Sequence, residues 1–209
     1  MDLLLFEENI VKIKLTSFVT FLVLLFTLPS LYAAEFSADQ IKKVSGMTIT
    51  SKLMIKDKKM RMETEMPGNP MTSVIIIDRE TGNNVMLMPQ QKMYFAMPAG
   101  QDTGEMPDLK ELEKEHKFTK KDLGEETVNG YKCNKIQIIF DDKSKGTMTQ
   151  WFSEKLQFIV KMTSKNSAQG EFTMELTNIK ETSIDNSVFK VPAGYSNMGA
   201  GFGNMMRQQ

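Results

Sequence analysis

The stretch NNVMLMPQQKMYFAMP, from Asn83 to Pro98, decides the fold because it predicts a β-hairpin. Apolar residues recur at every second position along two arms, which is typical of strands with one face in a core. The arms are Asn84–Met88 and Lys92–Met97, joined by a turn at Pro89-Gln90-Gln91. Neither side of either arm is strongly polar. We therefore expect other parts of the protein to pack against both faces of this sheet.

The same period of two continues on both sides of the hairpin and predicts a mainly β protein. Polar turns separate the strands, and Asn129-Gly130 favours a tight two-residue turn because both residues readily adopt positive φ. Strands are predicted at Met47–Ile55, Met60–Glu63, Ser73–Asp78, Tyr131–Phe140, Gly146–Ser153, Leu156–Thr163 and Glu171–Lys180. About ten strands in sequence order indicate one antiparallel sheet, curved strongly on itself or closed into a barrel.

Two short helices are predicted beside the strands. Ser37–Gln40 favours the start of the first, because a serine side chain accepts hydrogen bonds from the free amides of a first turn. Pro107–Lys117 is the second, with Leu109, Leu112 and His116 on a single narrow stripe. A helix with so narrow an apolar stripe rests on a sheet rather than inside one, so we expect it to cover one face.

The composition excludes several classes of function. Lys+Arg and Asp+Glu both number 26, so the chain has no basic field that would recruit nucleic acid. Cys133 is the only cysteine and His116 the only histidine, which excludes a disulfide framework, a zinc site of His and Cys ligands, and a Cys/His nucleophilic pair formed elsewhere on the chain. The chain also lacks a Gly-rich phosphate loop and a nucleophile elbow. The sequence therefore predicts a protein without catalytic residues or cofactors.

The N-terminal segment predicts secretion. Leu15–Leu28 is an apolar run that follows Lys12 and Lys14 and precedes small residues up to Ala34, the layout of a signal peptide. The run is shorter than the ~20 residues that cross a bilayer, which disfavours a permanent anchor. The mature protein is then periplasmic and not integral to the membrane. The predicted divisions are a signal peptide at 1–33, a domain at 34–195 and a flexible Gly- and Met-rich tail at 196–209.

Methionine is unusually frequent, with 18 residues. Its flexible thioether fills irregular gaps and suits surfaces that bind varied apolar partners, so a Met-rich core and an adaptable apolar surface are both open interpretations. Thioethers also bind Cu(I), which adds the hypothesis of a copper site. The candidate copper ligands are spaced two residues apart on strands, at Met60, Met62, Met86 and Met88.

Several short motifs follow the leader in order along the chain. They are Ser37-Ala38-Asp39, Lys59-Met60-Arg61-Met62-Glu63, Leu87-Met88-Pro89-Gln90-Gln91-Lys92-Met93-Tyr94, Gly130-Tyr131-Lys132-Cys133-Asn134-Lys135, Trp151-Phe152-Ser153 and Phe189-Lys190-Val191-Pro192-Ala193-Gly194-Tyr195. In this order the chain resembles a family of uncharacterised periplasmic proteins whose fold is similar to that of the LolA/LolB lipoprotein carriers. The resemblance covers nearly all of the mature chain.

The resemblance implies a half-open antiparallel β-barrel whose concave apolar side lies under helices and receives acyl chains. Its partner would be a lipid or the acyl chains of a lipoprotein, and a protein partner in the cell envelope is the alternative. In the carriers an arginine at the end of an early strand helps to hold the covering helices, and Arg61 stands in the similar segment. An ion pair of Arg61 with Glu63 or Glu65 is an equally open interpretation.

Alternation along the strands gives candidates for the apolar lining of the concave side. On the strands they are Ile49, Leu53, Met60, Met62, Val85, Leu87, Met93, Phe95 and Met174, and on the covering helix they are Leu109 and Leu112. This predicted ligand-binding set requires no cofactor.

Overall fold

Twelve strands in one sheet contain most of the residues that the computed structural model describes, which are 34–65, 68, 71–97, 109–166 and 170–199. The first six strands are β1 (Glu35–Val44), β2 (Met47–Lys56), β3 (Lys59–Glu65), β4 (Thr72–Asp78), β5 (Asn83–Met88) and β6 (Met93–Met97). The other six are β7 (Phe118–Val128), β8 (Tyr131–Phe140), β9 (Thr147–Ser153), β10 (Phe158–Asn166), β11 (Gly170–Glu181) and β12 (Ser196–Asn197). The described residues also contain one α-helix, α1 (Leu109–Glu115), and 3₁₀ turns at Pro89–Gln91, Lys143–Lys145 and Asn186–Phe189.

The two ends of the chain are described only in part. The predicted signal peptide at 1–33 lies outside the described residues, and so does the predicted tail from residue 200 onward. The first residues of that tail, Ser196 and Asn197, form β12 beside β6. Within the described ranges, no helix combines the length and hydrophobicity needed to cross a bilayer.

The sheet consists of two antiparallel meanders that meet at β1. From edge to edge the strand order is β12, β6, β5, β4, β3, β2, β1, β11, β10, β9, β8, β7. All neighbouring strands are antiparallel except β12 and β6. The sheet is curved and open, and α1 lies against its inner face. The prediction of a mainly β, half-open antiparallel barrel is confirmed.

Strand β1 corrects the helix predicted to begin at Ser37–Gln40. This segment is extended, and Phe36, Ala38 and Gln40 are buried in alternation with more exposed residues. Ten residues of β1 pair with β2 in unbroken register, and eight pair with β11. Pairing on both sides satisfies the strand's backbone along its length, and this outweighs the local helix-start signal. The helix prediction at this position is wrong.

Two turns depend on residues with left-handed backbone conformations. Asn129 and Gly130 have φ values of 50° and 85°, which confirms the predicted two-residue turn between β7 and β8. Gly146 has a φ of 66° just before β9, and a Cβ there would lie 1.9 Å from the carbonyl oxygen of Lys165. Any side chain at position 146 would displace the backbone of β10, so the position requires glycine.

The larger hydrophobic core, the inner cluster, lies on the inner face of the sheet. Phe36 of β1 and Phe158 of β10 contact edge to face, with ring centroids 5.7 Å apart, although β11 lies between their strands. Contact across an intervening strand is expected where a sheet curls over its own face. The buried members are Phe36, Ala38, Leu53, Ile55, Met60, Met62, Ile75, Ile77, Phe95, Met97, Leu112, Val128, Cys133, Ile138, Met148, Trp151, Leu156, Val160, Met162, Met174 and Leu176.

The smaller core, the outer cluster, lies on the opposite face of β4 and β5. Its buried members are Val74, Ile76, Leu87, Ile184 and Phe189. Residues 184–195, here named the C-terminal strap, follow β11 and supply the last two of these side chains. Strand β4 is therefore buried on both faces, with alternate side chains in the two clusters. This arrangement confirms the expectation that both faces of the sheet are covered.

Candidate functional site

The structure places most of the predicted lining residues on the inner face. Ile49 and Met93 are half-buried and point to this face, because each lies an even number of residues from an inner-cluster member of its own strand. Leu109 packs against the cluster from α1. The predicted residues that are buried within the inner cluster are Leu53, Met60, Met62, Phe95, Leu112 and Met174.

Val85 and Leu87 lie on the other face of the sheet. Leu87 is buried in the outer cluster, and Val85 packs against it. The hairpin register explains this placement, because Met86 is directly opposite Phe95 and directly opposite residues point to the same face. The apolar inner positions of β5 are therefore Met86 and Met88, and both pack against the inner cluster.

Helix α1 covers the inner face next to the β7 edge. The helix predicted at Pro107–Lys117 is described as Leu109–Glu115, and residues 107 and 108 lie outside the described ranges. Glu113 of α1 forms an ion pair with Lys120 of β7. His116 follows the helix, and its half-buried ring contacts Phe140 edge to face at a centroid distance of 5.9 Å. These contacts fix the helix over β7 and β8.

A row of polar side chains crosses the inner face beside the apolar ones. Gln40 and Ser51 are directly opposite each other on β1 and β2 and are 4% and 3% exposed. The Ser51 and Thr64 hydroxyl oxygens lie 2.7 Å apart and share a hydrogen bond. No described residue donates a hydrogen bond to Gln40 Oε1, although the atom is buried. Leaving such an oxygen unpaired costs about 1–3 kcal/mol of stability.

Two further carboxamides extend this polar character of the inner face. Gln150 is 3% exposed, and its Nε2 donates to the thioether sulfur of Met148 at 3.3 Å, with the sulfur of Met162 at 4.0 Å. A thioether is a weak acceptor, so this contact only partly replaces water. Asn84 lies on the inner side of β5, and its buried Oδ1 has no donor among the described residues. An apolar core rarely contains several carboxamides with incomplete hydrogen bonding.

The four candidate copper ligands share the inner face but not neighbouring strands. Met60 and Met62 lie on β3, and Met86 and Met88 lie on β5, with β4 between them. Ile75 is paired with Met62 on one side and with Met86 on the other. Two strand spacings separate the two methionine pairs by about 9–10 Å of backbone. In the described ranges, no three His, Cys, Asp or Glu side chains are grouped to hold a metal.

Arg61 points to the outer face, away from the inner cluster. Its Nη1 donates to the carbonyl oxygen of Val188 in the C-terminal strap at 3.2 Å. Its Nη2 lies 3.4 Å from Glu63 Oε2, so the ion pair with Glu63 that the sequence left open is present. The contacts of Arg61 within the described part of the chain therefore hold the strap to β3.

A second clamp fixes the start of the C-terminal strap. Lys56 Nζ donates to the carbonyl oxygen of Ile184 at 2.7 Å and pairs with Glu35 at 3.0 Å. The Glu35 carboxylate also accepts a hydrogen bond from the backbone N–H of Ile184. This backbone hydrogen bond and the Lys56 ammonium lower the pKa of Glu35 below its ordinary value. The outer cluster is thus closed by the chain itself and secured by charged hydrogen bonds.

A cavity of about 640 Å³ lies beside the β7–β8 turn, and none of the lining residues predicted from sequence borders it. Four of its charged groups form ion pairs, Lys155 with Glu181 at 2.6 Å and Lys132 with Glu125 at 2.7 Å, and Glu154 Oε1 accepts a hydrogen bond from the Asn134 side chain at 3.2 Å. The Tyr131 hydroxyl donates to Glu181 at 2.9 Å, and burial together with this carboxylate raises the pKa of Tyr131. Because the two lysines and two of the three carboxylates of this cavity are bound to one another, the inner face is the stronger candidate for a binding site.

Comparison with known proteins places the chain in one family. Residues 40–157 and 142–195 match the model of a domain of unknown function, DUF4412. No curated protein matches the sequence. Among solved structures, an uncharacterized conserved protein from Thermus thermophilus is similar, with a TM-score of 0.56 at 8% identity. That match covers 79% of this chain and 90% of the other.

Two further solved structures are similar to the chain. A chain of the Pseudomonas aeruginosa MucA/MucB complex has a TM-score of 0.52 at 13% identity, and the match covers 78% of this chain and 57% of that one. The LolA superfamily protein NE2245 from Nitrosomonas europaea has a TM-score of 0.37 at 8% identity, with coverage of 77% and 91%. At these identities the similarities concern the fold alone.

Proposed function

The chain belongs to the DUF4412 family, and we propose that it is a non-enzymatic binding protein whose inner face takes up an apolar ligand. The ligand class is a lipid, or the acyl chain of a lipid or lipoprotein, encountered in the cell envelope. The motif order, which resembles that of a family similar in fold to lipoprotein carriers, supports this ligand class. The observation that carries the proposal is the side-chain chemistry of the inner cluster.

Among the described residues, nine methionines line or contact the inner cluster. Methionine has three rotatable bonds and a polarizable sulfur, so a surface built from it reshapes around an inserted chain at small cost. A core that only needs to be filled is better served by branched side chains with fixed rotamers. The buried methionines are Met60, Met62, Met97, Met148, Met162 and Met174, and those packed against them are Met86, Met88 and Met198.

Lipid capture tests the proposal directly. Native mass spectrometry of protein purified from its own envelope fraction, followed by lipid extraction, should find a co-purified acyl lipid. The emptied protein should then bind a fluorescent fatty acid that the extracted lipid displaces. Absence of both the co-purified lipid and the probe binding would contradict the proposal.

Two leucines provide a matched pair for this test. Leu53 and Leu87 are each 1% exposed, but Leu53 belongs to the inner cluster and Leu87 to the outer one. Leu53→Ala should change the affinity for the fatty-acid probe, because it alters the surface that the ligand contacts. Leu87→Ala should leave the affinity of the folded protein unchanged. Equal effects of the two substitutions on binding would exclude the inner face as the site.

Secretion is part of the proposal, and the segment that carries it is residues 1–33. Its basic flank and short apolar run have the layout of a signal peptide. Cell fractionation and N-terminal sequencing should recover a periplasmic chain that begins at Ala34 or Glu35. Full-length protein in the cytoplasm, or stably held in the inner membrane, would contradict this part of the proposal.

A protein partner is the second candidate function, favoured by one feature of the sheet. Strand β7 is an edge of the sheet and is exposed at nearly every residue, so its free backbone groups are open to pairing with another strand. The similarity in fold to a chain of the MucA/MucB complex supports the same candidate. Hydrogen exchange in an envelope extract tests it, because a bound partner should slow exchange of the β7 amides. Unchanged exchange would leave the apolar ligand as the sole candidate.

A further inference from the structure

We propose that the inner face selects an acyl chain that is joined to the rest of its ligand through a secondary amide. The selecting groups are the Gln40 carboxamide and the paired hydroxyls of Ser51 and Thr64. This inference rests on the proposed function and specifies the polar linkage of the ligand. It follows from where these groups lie, from the hydrogen bonds they make and from the one that is missing.

The polar row stands at the border between the buried and exposed parts of the inner face. Gln40, Ser51, Thr64 and Ser73 are directly opposite one another on the consecutive strands β1 to β4, a span of about 14 Å. Gln40 is the last buried residue of β1, and Ser51 is the first buried residue of β2. An amphiphile at this border has its chain on the apolar side and its polar linkage at the row.

The next row inward is apolar on the same four strands. It consists of Ala38, Leu53, Met62 and Ile75, all members of the inner cluster. A hydrocarbon chain that follows this row is separated from the polar row by two residues along each strand. The linkage at the head of such a chain is therefore within reach of Gln40.

Gln40 Oε1 requires a donor that no described residue supplies. The side chain is 4% exposed and stands between Leu176, which is fully buried, and Ser51. A buried acceptor without a partner is destabilising unless a ligand or a water completes it. Esters and carboxylates have only acceptor atoms, so they leave Gln40 Oε1 unpaired. An amide N–H donates the missing hydrogen bond to Gln40 Oε1.

The neighbouring hydroxyls supply the complementary donor. Ser51 Oγ and Thr64 Oγ1 are 2.7 Å apart, and their shared hydrogen bond uses one of the two hydroxyl protons. The other proton is available to a ligand carbonyl. When Thr64 donates to Ser51, the free proton is on Ser51, and the row presents one acceptor and one donor on the adjacent strands β1 and β2. A secondary amide has one N–H and one C=O, and it satisfies both groups through two atoms.

A matched pair of amphiphiles tests the inference on the purified full chain. N-methyltetradecanamide and methyl tetradecanoate have the same acyl chain and the same carbonyl, but only the amide has an N–H. Displacement of a fluorescent fatty acid should show about tenfold tighter binding of the amide than of the ester. 3-Hydroxytetradecanoic acid against tetradecanoic acid tests a hydroxyl as the donor instead, and a larger preference in that pair would overturn the amide assignment.

Three variants assign the preference to individual groups. Gln40→Met should reduce the amide preference to within twofold, and its thermal midpoint should equal or exceed that of the wild type because an unpaired oxygen is removed. Ser51→Ala should weaken amide and ester alike, because both have the carbonyl. Gln150→Met, which changes the other buried glutamine of the inner face, should keep the full preference.

The outcomes separate this inference from the proposed function. Equal binding of amide and ester by the wild type, unchanged in Gln40→Met, would overturn the amide selection and leave apolar binding intact. Failure of all four amphiphiles to displace the fatty acid, or failure of the fatty acid to bind, would contradict the proposed function itself. A preference that persists in Gln40→Met but disappears in Gln150→Met would move the site to β9.

Discussion

The two faces of the sheet differ in how their side chains are covered and hydrogen-bonded. The buried outer cluster consists of Val74, Ile76, Leu87, Ile184 and Phe189, and the chain's own C-terminal strap covers it, with Lys56 and Arg61 bonded to strap carbonyls. The inner cluster is rich in methionine, and the inner face also holds Gln40, whose Oε1 has no donor in the described chain. The chain itself therefore covers the outer face and pairs its charged groups, whereas the inner face contains a buried acceptor that lacks a donor.

The largest expected effect is a difference in stability between the two faces. Leu87→Ala should lower the free energy of unfolding by about 2–5 kcal/mol, because the outer cluster is tightly covered. Leu53→Ala should cost less, because an inner face that accommodates a ligand is not fully packed without one. Urea denaturation of the emptied protein measures both values. Equal losses would show that the inner cluster is an ordinary filled core.

The β5–β6 hairpin shows which features of the site could be predicted from the sequence alone. The position of the turn and the inward side of Phe95 follow from the alternation of apolar residues. Alternation does not show which side chains of β5 point to the inner face, because Val85 and Leu87 are as apolar as Met86 and Met88. The turn contained the missing information, since pairing Met88 with Met93 places Met86 opposite Phe95.

The polar row could not be predicted from the sequence for a different reason. Ser37 gives a local helix-start signal, and the pairing of β1 with β2 and β11 overrides it. Only that pairing brings Gln40 opposite Ser51 and buries both. The docking of the strap is also tertiary, because Ile184 and Phe189 reach the outer face through contacts with strands more than 90 residues earlier in the chain. Long-range pairing of this kind leaves no periodic trace in the local sequence.

The strap offers a smaller effect through Arg61. Arg61→Met should cost about 1 kcal/mol, because it removes a charged hydrogen bond to Val188 and a partly exposed ion pair with Glu63. Hydrogen exchange should quicken in the strap and stay unchanged in α1. Lys165→Met is the control, since the Lys165–Glu171 pair is exposed and 4.0 Å apart, and its loss should not alter stability. Faster exchange in α1 would instead support a role for Arg61 in holding the helix.

Acid should loosen the same strap at its first residue. The hydrogen bond from the Ile184 amide and the Lys56 ammonium lower the pKa of Glu35 from 4.5, so ionised Glu35 stabilises the folded state. Its contribution is complete above the ordinary pKa and is lost as the pH falls through the lowered value. The stability difference between wild type and Glu35→Gln should therefore be constant near neutral pH and disappear in acid. A difference that persists below the lowered pKa would contradict this assignment.

The smallest expected effect is on Cu(I) binding, which tests whether the methionines of the inner face form a metal site. All four candidate methionines lie on the inner face, so burial alone does not distinguish a copper site from an apolar one. Strand spacing does, because β4 keeps the two pairs about 9–10 Å apart at the backbone and Ile75 stands between Met62 and Met86. We expect no Cu(I) retention when the reduced protein is titrated against a competing chelator. Retention that is lost when Met60, Met62, Met86 and Met88 are all changed to Leu would show that the thioethers converge over Ile75, and would make the inner face a metal site.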